Sequence, residues 1–377
     1  MKKIKKVLLL FLIIPFFLIK PVQGFELAKN AKSSCLMEME SGKVLYQNNA
    51  NVELAPASMT KIMTMTIVLD EIKSGNLNWN DMITASKEAT SMGGSQIYLK
   101  ENEKMTVHDM FKSVAIASAN DCAYALGERI CGTMEQFVLR MNKYANDLGL
   151  KNTKFQNPTG LPEENHYSSS YDMAVMARNL LLNHEADITR FTSIYSDYVR
   201  EESESPFWLV NTNKVIRQDP LVDGLKTGWT EEAGYCITLT KKSDGMRLIA
   251  VVMGYQDVKM RNQECYELLS YGFNSYKAYP IFDERVIEEV NDLYYYPNKF
   301  KVITNKGLRI VNNEKVNEDD ISYQITYDYK NHLERSVGKM EVLYKGFSYQ
   351  EIPLVLDREI KEANVFQIFK NILREFF

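Results

Sequence analysis

The stretch "PASMTKIMTM" at Pro56–Met65 places a serine and a lysine three residues apart where an apolar run begins. One reading makes Ser58 a nucleophile with Lys61 as its activator. The other is ordinary helix-start chemistry, a hydroxyl capping backbone amides beside a lysine that faces water. Residues three apart on a helix share a face, so the hydroxyl and the amine can meet. The helix N-terminus adds unpaired N–H groups and positive potential, which favour developing negative charge. The pattern is short, however, and Ser336-Val-Gly-Lys339 repeats it at what reads as a turn entering a strand. On this motif alone the capping reading leads.

Outward from Ser58 the helical period runs to about Ser74 and stops at Gly75-Asn76. A serine and an asparagine able to complete a polar cleft occur at Ser74-Gly75-Asn76 and at Ser118-Ala119-Asn120. Ser74 ends the helix that Ser58 begins, so at 1.5 Å per residue the two lie roughly 24 Å apart. That excludes the first candidate. Ser118-Ala119-Asn120 sits at the join of two predicted helices, Val107 to Ala117 and Asp121 to Ile130, where a loop can present both side chains to a distant partner. A third element is "DGLKTGW" at Asp223–Trp229. Lys226 is a cation suited to a carboxylate, Thr227 adds a hydroxyl, and Gly228 lets a ligand backbone approach a strand closely. Taken alone, this too reads as a surface turn.

The remaining pattern sets the architecture. "CLMEMESGKVLYQ" alternates around Ser41-Gly42 as a β-hairpin does. Further helices are predicted at Glu135 to Leu148, at Tyr171 to Leu182 with Ser170 as cap, and at Met260 to Tyr276. From Tyr198 the period shifts toward two through "FWLVN", "CITLTKK" and "MRLIAVVMGY", the last a continuous apolar run suited to a central strand. Strands at both ends with helices between predict one mixed sheet covered by helices. After a break near Tyr279-Pro280, "ISYQITYDY" and "KMEVLYK" predict a small all-β domain of roughly 75 residues. The last segment, "REIKEANVFQIFKNILREFF", puts Val365, Phe369, Ile372 and Phe376 on one face with Phe366, Leu373 and Phe377 beside it; Gln367, Lys370, Asn371 and Arg374 lie opposite. Such a helix packs on its own domain or lies in a membrane interface. Its phenylalanine content favours the membrane.

The first 24 residues carry four early lysines, the run "VLLLFLIIPFFLI" and a small residue at Gly24, which are the regions of a secretory signal peptide. Cleavage there places the working protein outside the cytoplasmic membrane. Removing Lys2, Lys3, Lys5, Lys6 and Lys20 leaves 40 basic against 49 acidic side chains, a net charge of −9. No basic field remains for a nucleic-acid partner. The five cysteines and four histidines show neither C-x-x-C nor H-x-x-x-H spacing, so small buried thiols are expected and no metal or other cofactor is.

S-x-x-K, S-x-N and K-T-G in this order, 60 and 108 residues apart, form a joint signal far stronger than any one of them. It resembles the penicillin-recognising serine acyl-transferases, whose three motifs line one cleft. "LMEMESGKVLYQNN", "APASMTKIMT", "SMGGSQIYLKENEKMTVHDM", "ASANDCAYAL", "NPTGLPEENHYSSSYDMA" and "VDGLKTGWTEEAGYCI" narrow the resemblance to the low-molecular-mass D-alanyl-D-alanine carboxypeptidases, over about Ala31 to Phe273. The resemblance implies an α+β domain with a central antiparallel sheet and a helical subdomain, followed by the small β domain and amphipathic tail. The expected division is a signal peptide at 1–24, the peptidase domain at 25–279, the β domain at 280–356 and the terminal helix at 357–377.

The same resemblance implies roles. Ser58 attacks the carbonyl between the last two D-alanines of a peptidoglycan stem pentapeptide and Lys61 takes its proton, its pKa lowered by burial and by Lys226. Ser118 and Asn120 relay protons and hold the substrate amide. Lys226 and Thr227 bind the terminal carboxylate beside Gly228, and backbone N–H groups of Ser58 and Trp229 form the oxyanion hole. Asp172 is expected to support a cleft-side loop and Arg261 to help position the substrate carboxylate. The Trp229 indole, where relatives vary between histidine and aromatic residues, is expected to contribute a wall. β-Lactams are expected as acylating inhibitors, and the C-terminal helix is expected to touch the membrane. A class A-like β-lactamase is the rival enzyme, but "PEENHY" lacks the E-x-x-L-N pattern that would make Glu163 or Glu164 a deacylating base. A catalytically silent wall-binding scaffold is the rival from another class.

Overall fold

Met246–Tyr255 is buried at every position, and a strand of that kind must be covered on both faces. The computed structural model, which describes residues 26–330 and 336–376, provides that cover. The expected signal segment lies outside the described residues. In chain order the first part contains β1 (Ser33–Glu38), β2 (Val44–Asn48), a 3₁₀ turn (Ala57–Thr60), α1 (Lys61–Lys73), β3 (Met82–Thr84), α2 (Lys87–Thr90), β4 (Lys104–Thr106), α3 (Val107–Ala117), α4 (Asn120–Cys131) and α5 (Met134–Asp147). It continues with α6 (Ser170–Thr192), β5 (Ser196–Val199), β6 (Phe207–Val210), β7 (Val222–Thr230), β8 (Gly234–Ser243), β9 (Met246–Tyr255) and α7 (Val258–Ser275). The sheet order is β2-β1-β9-β8-β7, and every pairing in it is antiparallel. The central strand is therefore the apolar one, and β7 is an edge.

One buried cluster gathers α1, α3, α4 and α6 against one face of this sheet; a second packs α7 on the other through Cys265, Leu268 and Leu269. Helix α1 is buried at every position from Lys61 to Leu69, the pattern of a helix enclosed by its neighbours. Capping sets the helix starts. Thr106 caps α3 through Asp109 N, and Asp257 caps α7 through Met260 N. The cap of α6 is Ser169, not Ser170; the Ser170 hydroxyl is taken by Ser33 and the Ala50 carbonyl. Helix α6 also runs past Leu182 to Thr192, bending at His184 (φ −144°, ψ 30°), where the ring bonds Asp70 Oδ1 at 2.7 Å. The polar run after Leu182 hides this continuation, because what it buries is an imidazole bonded to the half-buried Asp70 carboxylate. Four of the five cysteines are buried and all five are free thiols.

The second part begins on β10 (Lys277–Phe282), which passes through Tyr279-Pro280, and continues as β11 (Val286–Asn291), β12 (Tyr295–Tyr296), β13 (Lys299–Thr304), β14 (Leu308–Asn312), β15 (Ile321–Tyr327), β16 (Ser336–Tyr344), β17 (Phe347–Leu356) and β18 (Lys361–Glu362). It closes with α8 (Val365–Phe376). A sheet in the order β11-β13-β17-β16-β15 covers its own core, which includes Phe300, Val342 and Leu354. Ser336 and Lys339 both lie within β16, so the second S-x-x-K sits on an extended strand. The Lys339 ammonium pairs with Glu351 across that sheet.

Candidate active site

Ser58 lies in the 3₁₀ turn one step before α1 proper and makes no capping hydrogen bond. Its Oγ instead accepts from Lys61 Nζ at 2.9 Å. Lys61 is fully buried, and its ammonium donates a second bond to the Thr159 carbonyl at 2.7 Å. Both halves of the capping reading therefore fail: the hydroxyl caps nothing and the lysine does not face water. Burial is the main force holding the Lys61 pKa well below the usual lysine range, and the charge of Lys226 adds to it, while Asp121 opposes.

A loop that the three motifs do not include builds the floor. Asn157 Oδ1 accepts from Thr159 N, Thr159 Oγ1 and Gly160 N at 3.1, 2.9 and 2.8 Å, curling the chain so that the Thr159 carbonyl faces Lys61. Thr64 of α1 ties the same loop through the Pro158 carbonyl at 2.7 Å. Gly160 has φ +81°, and a Cβ there would stand 1.8 Å from the Ala57 carbonyl oxygen, so only glycine lets the loop press against the serine turn. His166 Nε2 meets Thr60 Oγ1 at 2.8 Å, while Nδ1 accepts from Gln156 N at 3.0 Å. The second bond makes Nδ1 the acceptor and Nε2–H the donor, which is the neutral ring. Burial accordingly pushes its pKa down to about 4. Asp172, buried in the first turn of α6, accepts from Asn152 N and Thr153 Oγ1, both at 2.8 Å, and so pins the start of this loop.

Ser118 ends α3 in the left-handed conformation (φ 64°, ψ 30°), which turns the chain sharply into α4 at Asn120. Asn120 Nδ2 donates to the Gly93 carbonyl at 2.6 Å. Its Oδ1 and the Ser118 Oγ are buried with no partner in the protein. Buried polar atoms are rarely left so, and two in neighbouring residues mark where a ligand would bond. Ser74, by contrast, is the C-terminal cap of α1, at the far end of the helix from Lys61.

The edge strand β7 supplies the third side. Lys226 is buried, its Nζ bonds the Thr227 carbonyl at 3.0 Å, and burial with the neighbouring Arg261 charge brings its pKa down to about 7. Thr227 Oγ1 donates to Thr212 Oγ1 at 2.7 Å, and Thr212 N in turn bonds the Ile116 carbonyl beside Ser118 at 3.2 Å. Gly228 abuts the serine turn: a Cβ there would lie 2.8 Å from the Pro56 carbonyl and 3.2 Å from Met59 N. The Trp229 indole is 57% exposed and lies against Tyr235 at the rim. Arg261 is buried behind β8, with Nη1 on the Cys236 carbonyl at 3.0 Å and Nε and Nη2 on Asn262 Oδ1 at 3.1 and 2.7 Å. Gly228 pairs with Cys236 in the ladder, so this guanidinium stands one strand behind the cleft.

These contacts connect the three motifs. Ser58 and Lys61 bond each other, Gly228 abuts the serine turn, Thr227 reaches Ile116 of the last turn of α3 through Thr212, and Gly94 lies beside both Asn120 and Leu161 of the floor loop. Sequence reasoning missed Asn157, Thr159, Gly160, His166 and Thr212. The Asn-Pro and Gly punctuation of "NPTG" signalled a turn but not its target. Glu163 and Glu164 are exposed on that loop.

The family of D-alanyl-D-alanine carboxypeptidases, peptidase S11, matches residues 22–257. The chain is 42% identical to the D-alanyl-D-alanine carboxypeptidase DacF of Bacillus subtilis, over 92% of this chain and 90% of that one. It is 31% identical to DacC of Escherichia coli, over 89% and 86%. Among solved structures it is similar to penicillin-binding protein 5 of Haemophilus influenzae (TM-score 0.69, 29% identity, 89% of this chain and 98% of that one). A second, penicillin-binding protein D2 of Listeria monocytogenes, was determined in an ampicillin-bound form (TM-score 0.58, 27% identity, 65% of this chain and 98% of that one).

Proposed function

The chain belongs to the D-alanyl-D-alanine carboxypeptidase family of serine peptidases, and from that membership we propose that it removes the terminal D-alanine of peptidoglycan stem pentapeptides through an acyl-enzyme on Ser58. The observation that carries the reading is the 2.9 Å bond between Ser58 Oγ and a fully buried Lys61 whose ammonium is disfavoured. A neutral amine at that distance takes the hydroxyl proton as Oγ attacks the scissile carbonyl. Lys226 and Thr227 hold the substrate carboxylate, and the oxyanion is met by backbone N–H groups of Ser58 and Trp229. Asn120 Oδ1 and Ser118 Oγ gain the partners they lack in the protein. The C–N bond breaks, D-alanine leaves with a proton delivered through Lys61 and Ser118, and water then hydrolyses the ester.

One experiment separates this from its rivals. The purified protein and Ser58→Ala are incubated with labelled penicillin and with a D-Ala-D-Ala peptide. A stable adduct with D-alanine release, both lost in the variant, is the expected result. Neither signal from the unaltered protein would leave a silent scaffold, and rapid penicillin turnover without D-alanine release would leave a β-lactamase.

The same proposal places the enzyme outside the cytoplasmic membrane, with α8 lying on the lipid surface. What supports this is the signal-like start and the orientation of α8. Asn371 is buried, its Nδ2 bonding the Leu293 and Tyr295 carbonyls at 3.1 and 3.3 Å, while Val365, Phe366, Phe369 and Leu373 are exposed. Polar docking with apolar exposure reverses the usual amphipathic arrangement on a domain surface.

A further inference from the structure

A strap of chain, residues 93–99, runs beside the first turn of α4 and is bound there by two consecutive residues. Asn120 takes its first half: Nδ2 bonds the Gly93 carbonyl at 2.6 Å and the main-chain N bonds the Ser95 carbonyl at 2.7 Å. Asp121 takes its second half. Its carboxylate, fully buried, accepts from Ile97 N at 3.1 Å and Leu99 N at 3.0 Å, and from Cys122 N of its own helix at 2.9 Å. Three main-chain donors on one side chain require an acceptor-only group, which a carboxylate is and a carboxamide is not. From the other side Arg200 closes the strap, with Nη1 on the Ile97 carbonyl at 2.8 Å and Nε on Glu103 Oε1 at 2.6 Å. Gly94 has no room for a side chain, since a Cβ there would lie 2.9 Å from Asn120 Nδ2.

Among the described residues the Gly93 carbonyl is the one partner of the Asn120 side-chain amide, and it fixes which way that amide points. With Nδ2 held by the strap, Oδ1 is left buried without a partner among the described residues, and in the acyl-enzyme reading it is the atom that meets the acyl-donor N–H. We propose that Asp121 is a positioning residue for acyl transfer: by clamping the strap it holds the Gly93 carbonyl, and through it the Asn120 amide, in the orientation that receives substrate. Arg200 secures the same strap from outside. The proposal rests on the acyl-enzyme reading of Ser58 and adds a residue outside S-x-x-K, S-x-N and K-T-G.

The test is a double-mutant cycle on acylation by a fluorescent penicillin, read at each variant's own pH optimum so that the influence of Asp121 on Lys61 does not enter. Asp121→Asn keeps the shape but puts donors against main-chain donors. It is expected to lower the acylation rate constant about tenfold or more, as small misplacements of reacting groups do. In an Asn120→Ala background, where no amide remains to be positioned, the same change is expected to alter the rate less than about twofold. Equal losses in both backgrounds, or an Asp121→Asn rate matching wild type, overturn the proposal. If Asp121→Asn does not fold, Arg200→Met takes its place with the same expected pattern, and failure of both to fold assigns the clamp to stability and also overturns it. Absence of an adduct in the unaltered protein is a different result, which ends the acyl-enzyme reading and this proposal with it.

Discussion

Two buried lysines in one cleft have opposite requirements. The proposed mechanism needs Lys61 neutral, to accept the Ser58 proton, and Lys226 charged, to hold a carboxylate. Burial acts on both in the same direction, and Arg261 adds to it at Lys226, whose pKa comes down to about 7. Activity with dilute substrate should therefore rise as Lys61 loses its proton and fall as Lys226 loses its own, with the alkaline limb of kcat/KM near pH 7. The two limbs belong to the coupled pair, not to either residue alone. A bound carboxylate favours the charged form of Lys226, so the alkaline limb of kcat should lie above that of kcat/KM. Initial rates of D-alanine release across pH read both. A kcat/KM that stays flat well above pH 7 would remove Lys226 from substrate binding.

At the scale of elements, the floor loop holds the Thr159 carbonyl against Lys61, and His166 is its fastening. The ring is neutral in the folded protein, with a pKa near 4 against 6.5 when exposed. Between those values the unfolded chain binds the extra proton, so stability falls as pH drops from about 6.5 toward 4, by up to about 3 kcal/mol. His166→Gln can donate to Thr60 and accept from Gln156 without titrating. Urea unfolding at pH 7 and pH 4.5 should show the acid loss clearly reduced in the variant, and an equal loss in both proteins would assign it elsewhere.

Elements with a strong local signature were legible in advance. Helix α3 starts at Val107 and ends at Ala117 as predicted, because Thr106 caps its start and Ser118 turns left-handed at its end. Strand β9 was readable from its unbroken apolar run. The site was legible only where side chains carry it. Thr159 serves Lys61 through a main-chain carbonyl, which any residue possesses, and Asp121 acts on main-chain N–H groups more than twenty residues earlier in the chain. Neither contact leaves a pattern in the chain. The continuation of α6 was hidden for a related reason, since His184 and Asp70 are brought together only by the folded bundle.

For the whole molecule, the sheet order separates two tasks. The proposed reaction cleft lies at β7, one edge of the sheet, while the β-rich region attaches near the opposite edge. There Lys43 Nζ bonds the Val311 carbonyl and Asn312 Oδ1 at 3.1 and 3.2 Å, Lys306 pairs with Glu40, and Val311 enters the core beneath α7. Four strand spacings of about 4.8 Å put roughly 19 Å between those edges. Helix α8, proposed to rest on lipid, docks on Leu293 and Tyr295 of that same β-rich region and not on the strand that carries the cleft. Deleting α8 would be an ambiguous test, because it also uncovers the carbonyls that Asn371 satisfies. Phe366→Ser with Phe369→Ser leaves that docking intact and removes two exposed rings, each worth on the order of 2 kcal/mol when buried in an apolar phase. Protein comprising residues 25–377 should sediment with phosphatidylglycerol–phosphatidylethanolamine vesicles, and the double variant should remain in the supernatant with unchanged D-alanine release from soluble peptide. Sedimentation of the double variant at the wild-type level would show that α8 is not the anchor.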